Sequence, residues 1–357
     1  ARLMNGLSQR GWKCMYVLHD VAADCLTCDG RVITDLGEFL RRHQVDTVVN
    51  QNGFASGLTE EIRGSNWQGK YVVCYHSEPR FFRKLFGLRR VLSEVLSTEN
   101  NGLVRLAWFL RLCSYPLWRR WSDRRLMKTQ EANYVECDSY VLLSPSFVPQ
   151  LAKLMRRKSL PKVVAIPNPL SFDSDRLTEN VVKAKEVLVL ARLNDNEKRI
   201  SSALAAWRLI ENQGHDGWVL KVVGEGPDAQ ALERKAQRLG LKHVHFLGHQ
   251  ADPLPLYESA SIFLMTSRVE GWGLTLTEAM QTGAVPVAFD AYASLRDIIE
   301  HGKNGIIVQN GDHVELARET RRLMEHFTSR RLLAANAKQT AQRYRLERIL
   351  DRWTRVL

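Results

Sequence analysis

Short apolar runs rich in β-branched residues alternate along the whole chain with stretches of helical periodicity. The runs Lys13–Leu18, Val45–Asn50, Lys70–Tyr75, Tyr140–Ser144 and Val163–Pro167 form one series. Glu186–Ala191, Trp218–Val223, His243–Leu247, Ser261–Met265, Ala284–Phe289 and Gly305–Val308 form a second. Each run is continuously apolar rather than alternating, which predicts parallel strands covered on both faces. A 3.6-residue period over Ile200–Gln213, Asp228–Leu239 and His313–Phe327 predicts helices between them. Strand and helix in alternation predict doubly wound α/β sheets. The two series part at IPNPLSFDSDRLTEN, residues 166–180, where two prolines and several turn formers suit a linker. One domain over 1–170 and a second over 183–335 are expected, with a helical tail over 336–357.

Composition narrows the class. The 357 residues are 45% apolar, an ordinary globular share that excludes disordered and low-complexity chains. No run of 18 apolar residues predicts a spanning helix. The formal net charge is +12, and it is concentrated. Residues 80–128 hold 12 basic and 3 acidic residues together with eight aromatics. Within them, NGLVRLAWFLRLCSYPLWRRW sets Arg105, Arg111, Arg119 and Arg120 on an apolar body interrupted by Pro116. That pattern suits a helix lying on an anionic membrane surface, with aromatics at headgroup depth. The alternative is a helical subdomain packed on its own core with a solvated basic face. A second basic cluster, Lys153 to Lys162, could extend the patch. The basic balance also raises nucleic acid, but no binding module is visible and no nucleic-acid partner is expected. Of the six cysteines, Cys25 and Cys28 give only half of a four-cysteine zinc site, so free thiols in a reducing cytosol are expected.

Candidate chemistry gathers in the second half. SRVEGWGLTLTEAMQTGAVPVAFD, residues 267–290, reads as strand end, acidic residue, glycine loop, helix, strand. Gly271 and Gly273 flank Trp272, and a loop of this kind leaves N–H groups free at a helix N-terminus, which favours a phosphate. Glu270 and Glu278 would flank that site, an arrangement that makes sense if they accept hydrogen bonds from sugar hydroxyls. In LVLARLNDNEKRI, Arg192 and Lys198 follow a strand end and could neutralise a diphosphate without a metal. VVGEGP, residues 222–227, is a further strand running into a glycine turn at Gly224. Any one of these is commonly structural; their convergence on strand C-terminal ends of one domain is the signal.

On these residues the segment 186–330 resembles the C-terminal domain of retaining glycosyltransferase family 4. The E-x7-E signature stands as Glu270 to Glu278, and Arg-x5-Lys as Arg192 to Lys198. The resemblance implies a GT-B fold, with two facing Rossmann-like doubly wound parallel-sheet domains and a C-terminal helix crossing back to the first domain. It implies that Arg192 and Lys198 hold the diphosphate of a nucleotide-sugar, UDP by default. Gly224, Gly271, Trp272, Gly273, Leu274 and Thr275 would line the donor, mostly through backbone amides. Glu270 would meet a sugar hydroxyl, Glu278 the ribose, and Phe246–Leu256 the base. No metal or cofactor is expected. In the first domain, HSEP places His76 near the transferred sugar, while a structural hydrogen bond is the alternative reading. In LLSPSF the serines are expected to cap a helix rather than touch an acceptor.

The resemblance further implies a first strand and Gly-rich loop ahead of the helix on which the chain opens. Where family members often carry glycine after the lysine, this chain has Arg199, a charge added beside the donor site. The expected activity is metal-independent transfer, with retention, to a glycan or lipid-linked glycan in bacterial surface-polysaccharide assembly. The expected location is cytoplasmic, on the inner face of the plasma membrane. An inactive scaffold that binds membranes or nucleic acid, and a sugar-nucleotide epimerase of the same fold, are the alternatives.

Overall fold

The computed structural model describes residues 2–20, 25–29, 31–79, 81, 95, 102–178 and 181–357. Most of the predicted insertion before residue 102 therefore lies outside the described residues. The chain divides into two units at Pro169 and Leu170, with the last twelve residues, Leu346–Leu357, belonging to the first.

In the first unit, α1 (Arg2–Gln9) leads to a three-stranded sheet of β1 (Val17–Asp20), β2 (Cys25–Cys28) and β3 (Arg31–Ile33). The elements α2 (Leu36–Arg42), β4 (Thr47–Asn50), α3 (Gly57–Gly64), β5 (Lys70–Tyr75), α4 (Gly102–Glu136), β6 (Ser139–Leu142), α5 (Val148–Met155) and β7 (Val163–Ala165) follow. The strands β4-β5-β6-β7 pair in that order, all parallel. The run from Lys13 departs from the expectation of a buried parallel strand. Its strand begins at Val17, pairs antiparallel with β2, and leaves Tyr16 54% and Leu18 53% exposed. A hairpin within seventeen residues needs no crossover, so local pairing replaces sheet insertion here.

The second unit runs β8 (Ala184–Leu190), α6 (Asp195–Lys198), α7 (Ile200–Asn212), β9 (Val219–Val223), α8 (Ala229–Arg238), β10 (Val244–Phe246), α9 (Leu254–Ser259), β11 (Ala260–Met265), α10 (Leu274–Thr282), β12 (Val285–Phe289), α11 (Leu295–Ile298), β13 (Ile306–Val308), α12 (His313–Glu325) and α13 (Phe327–Ala341). Its six strands are parallel in the order β10-β9-β8-β11-β12-β13. The order reverses direction between β8 and β11, so the loops after these two strands part and leave a crevice at their C-terminal ends. Every residue of β11 and β12 is buried, as the unbroken apolar runs require. The tail is not one helix: α13 stops at Ala341, a tight turn spans Gln342–Tyr344, and α14 (Leu346–Trp353) begins afresh. Ile349, Trp353 and Val356 then pack with Val72, Cys74, Val141 and Ile166 in the core of the first unit.

The long helix α4 is anchored at its C-terminal end. There Lys162 Nζ donates to the carbonyls of Val135 and Cys137 at 2.8 and 2.7 Å, and Arg63 Nε to that of Glu136 at 2.8 Å. Cations on the carbonyl end of a helix offset its dipole. Of the second basic cluster, Lys162 is engaged on these carbonyls and Arg157 pairs with Glu131, while Lys153, Arg156, Arg157 and Lys158 are exposed. Near its other end Leu103 and Leu117 are 79% and 71% exposed, and Leu106, Phe109, Leu110 and Trp121 are exposed with them. Arg111 lies between the rings of Trp108 and Trp118, 5.4 and 5.1 Å from their centroids. No helix among the described residues is long and apolar enough to cross a membrane.

Lys183, at the entry to β8, is half-buried near Lys338 and donates to the carbonyl of Tyr257 at 3.0 Å. Burial first and the neighbouring ammonium second bring its pKa down to about 7. The unfolded chain therefore binds the extra proton between pH 10.5 and 7, and stability falls as pH drops through that window. Lys183→Met should raise the melting temperature, by an amount that grows from pH 10 to pH 7 and levels off below. Melts across that range check it, and a pH-independent difference would contradict it.

Candidate active site

The loop after β8 and the loop after β11 are laced together. Arg268 N donates to the Glu197 carbonyl at 2.7 Å, Arg268 Nε to that of Asn196 at 3.1 Å, and Thr266 Oγ1 to that of Lys198 at 2.7 Å. The short helix α6 is capped by Asn194, whose side chain accepts from Glu197 N. This lacing sets Lys198 Nζ 2.6 Å from Glu270 Oε1, with both side chains largely buried at 19% and 14% exposure. Lys198 keeps two further N–H donors, so an anion can bind it without breaking the pair.

Beyond Glu270 the glycine loop enters α10. Gly273 takes φ = 93° as the helix N-cap, a conformation that glycine reaches without strain. Among the described residues the N–H groups of Gly271, Trp272, Gly273, Leu274 and Thr275 donate to no backbone carbonyl, whereas those of Leu276 and Thr277 turn back to Gly273. A helix N-terminus with several unsatisfied amides is an anion site. The Trp272 ring does not line it. Its indole turns inward, 3% exposed and edge-on to Tyr344 at 5.1 Å, so Trp272 contributes only backbone to the loop.

Glu278 sits one turn into α10 and does not touch Glu270 or Lys198. Its Oε2 accepts from Tyr257 Oη at 2.7 Å and its Oε1 accepts from Ser171 Oγ. Each carboxylate oxygen retains a second lone pair, so Glu278 is oriented yet still able to accept from a hydroxyl. Arg192 is exposed, two residues past the end of β8, and makes no side-chain hydrogen bond or ion pair among the described residues. Gly224 has a packing reason of its own. It takes φ = 130°, and a Cβ there would stand 2.0 Å from the Ala191 carbonyl oxygen. Its N–H donates to Gly248 at 2.8 Å, which ties the segment Phe246–Leu256 to the same strand ends.

In the first unit His76 follows β5 and its Nε2 hydrogen-bonds Gln51 Oε1. Burial lowers its pKa from 6.5, which keeps the ring neutral at physiological pH. With Gln51, Tyr75, Asn168 and Trp353 it lines a cavity of about 180 Å³. Ser144 accepts from Ser146 N at 3.1 Å at the head of the turn before α5, the cap expected of LLSPSF. Among the described residues no three His, Cys, Asp or Glu side chains are placed to hold a metal ion.

Four contributors were not picked out from sequence. Ser171 lay in the presumed linker, Tyr257 in an unremarkable PLYES, and Gln51 in a loop after β4. Tyr292, after β12, is buried against Gly273, and its phenol is pushed well above its ordinary pKa by burial and then by the charge of Glu270. None carries a local motif; only folding brings Ser171 and Tyr257 to Glu278, Tyr292 near Glu270 and Gln51 to His76.

Comparison with known proteins bears on the same residues. Residues 173–340 match the family model described as Glycosyl transferases group 1. The chain is 25% identical over 341 residues to an α-1,4-N-acetyl-D-galactosaminyltransferase of Campylobacter jejuni, covering 91% of this chain and 93% of the relative. That relative is named for an acceptor built on diNAcBac-PP-undecaprenol. Among solved structures, Anabaena HepE in complex with UDP superposes with a TM-score of 0.66 at 19% identity, over 90% of this chain and 80% of that one. Staphylococcus aureus TarM, solved with fondaparinux, α-GlcNAc-glycerol and UDP, gives 0.66 at 15% identity, over 96% of this chain and 64% of that one. At these identities the two structures share the fold.

Gly224→Ala should destabilise the second unit by roughly 1–3 kcal/mol, since alanine meets both the carbonyl of Ala191 and an unfavourable φ. A melting temperature equal to that of the parent would remove the packing role assigned to this glycine.

Proposed function

For a chain that is a GT-B glycosyltransferase resembling the bacterial enzymes of surface-polysaccharide assembly, we propose transfer of a sugar from a nucleoside-diphosphate donor to a glycan acceptor with retention of anomeric configuration. The observation that carries this is the crevice after β8 and β11. Supporting it are an ammonium paired with Glu270, amides of 271–275 without backbone partners, and a second carboxylate, Glu278, oriented by Tyr257.

Lys198 and Arg192 hold the diphosphate, with the amides of Gly271 to Thr275 on its distal phosphate. As the donor bond breaks, negative charge grows on the leaving diphosphate. Preorganised cations and N–H dipoles stabilise that state more than the ground state. Glu270, fixed by Lys198, accepts from a hydroxyl of the transferred sugar, and Glu278, fixed by Tyr257 and Ser171, from the ribose. Attack from the face of the departing phosphate, with that phosphate taking the acceptor proton, needs no protein nucleophile. UDP is the favoured donor nucleotide, in keeping with the HepE and TarM complexes. No metal takes part in this scheme.

The acceptor reading adds a lipid-linked glycan presented at the inner membrane surface. The exposed apolar face of α4, with Arg111 packed between two indoles, supports surface binding over a helix packed on its own core.

Two experiments test these readings. The chain should be stabilised thermally by one member of a UDP-, GDP- and ADP-sugar panel. Lys198→Ala and Glu270→Ala should each lower transfer from that donor by roughly a hundredfold or more with the fold intact. Near-normal transfer in either variant would sink the donor site. Charge reversal at Arg119, Arg120, Arg124 and Arg125 should release the chain from anionic liposomes, and unchanged sedimentation with them would end the membrane reading.

A further inference from the structure

Arg199 stands at the junction of α6 and α7, as the last cap of one and the first of the other, with φ = 49° and ψ = 43°. Non-glycine residues take that conformation at a cost, because Cβ crowds the following carbonyl. An arginine is kept there although glycine would fit the backbone better, so its side chain must contribute something. The guanidinium turns back under the crevice. Its Nε donates to the Thr266 carbonyl at 2.8 Å, its Nη2 to that of Ser267 at 3.1 Å, and its Nη1 to Asn310 Oδ1 at 2.8 Å. Its plane lies over the Phe289 ring, 4.9 Å from the centroid. One side chain thus joins the C-terminal ends of β11 and β12 and the loop after β13. It is held by carbonyl dipoles and a π face rather than by a carboxylate. The charge that seemed added to the donor site is consumed within the scaffold.

Its immediate neighbour is Lys198. We infer that Arg199 is a positioning residue for Lys198: it fastens the α6–α7 junction to the strand-end loop, so that the ammonium stands at Glu270 and faces the space for a diphosphate. The residue acts through Lys198 and touches no substrate. The free rotation that glycine would allow at this junction is replaced by a three-point clamp. This inference rests on the donor-site reading above.

The test is a double-mutant cycle in the full chain, read by calorimetry with whichever of UDP, GDP or ADP stabilises the parent most. In Arg199→Gly the backbone keeps its φ without strain, and affinity for that nucleotide should fall on the order of tenfold. In a Lys198→Ala background the same change should cost less than about twofold, because no ammonium remains to be placed. Millimolar guanidinium should restore part of the affinity of Arg199→Gly and none of that of Lys198→Ala. Arg199→Lys, which keeps the charge but not the fork, serves as a second variant and should fall between parent and glycine. Unchanged affinity in Arg199→Gly, or an equal loss in both backgrounds, would overturn the positioning role. Unchanged affinity in Lys198→Ala alone would instead overturn the donor-site reading beneath it.

Discussion

The second unit depends on the reversal of strand order between β8 and β11. A parallel sheet sends all its loops to one end, and at this reversal two neighbouring loops must run to opposite sides. The space so opened would be floppy if each loop were held only by its own strand. Here the two are bonded to each other, through Arg268 to Glu197 and Asn196 and through Thr266 to Lys198. The Lys198–Glu270 pair is the visible result. It is largely withdrawn from water, where an ion pair is screened less and an unpaired charge would cost more.

The same economy of backbone governs the glycines. Gly273 lets the chain turn sharply into α10 and leaves five amides without a backbone carbonyl partner among the described residues. Gly224 lets the loop after β9 lie against Ala191, directly beside Arg192. A side chain at Gly224 would run into the Ala191 carbonyl, whereas at Gly273 the positive φ alone is the constraint. Carboxylates in a crevice proposed to bind phosphate look unfavourable by charge alone. They become intelligible once each is seen to be restrained: Glu270 by an ammonium, Glu278 by a phenol and a hydroxyl.

The first unit is built on another logic. Its four parallel strands are closed underneath by α14, which arrives from the far end of the sequence, so Ile349 and Trp353 complete a core begun by Val72 and Val141. The helix α4 leaves that core. Its carbonyl end is fixed by Lys162 and Arg63, and Leu103, Leu106, Leu110, Leu117 and Trp121 are exposed along it. The positive charge concentrated in 80–128 therefore belongs to this helix and the segment before it.

By itself the sequence determined the parallel strands and the helices between them in the second unit, and singled out the segments on which the proposed chemistry rests. Buried parallel strands must be continuously apolar and glycine loops must punctuate them, so EGWGLTLTE could be read directly. Lys198 is legible within the strand–loop–helix unit after β8, and Glu270 with the glycine loop within the one after β11, because each local unit fixes its own spacing. Tertiary structure alone decided what restrains them. Tyr257, Ser171 and Tyr292 have no signature, since their partners lie 21 or more residues away. Only packing reveals that Arg199 turns away from the crevice and that the Trp272 ring turns inward. The antiparallel hairpin at β1 and the break before α14 escaped the reading for the same reason. Periodicity records which faces are buried, and it carries no information about which element covers them.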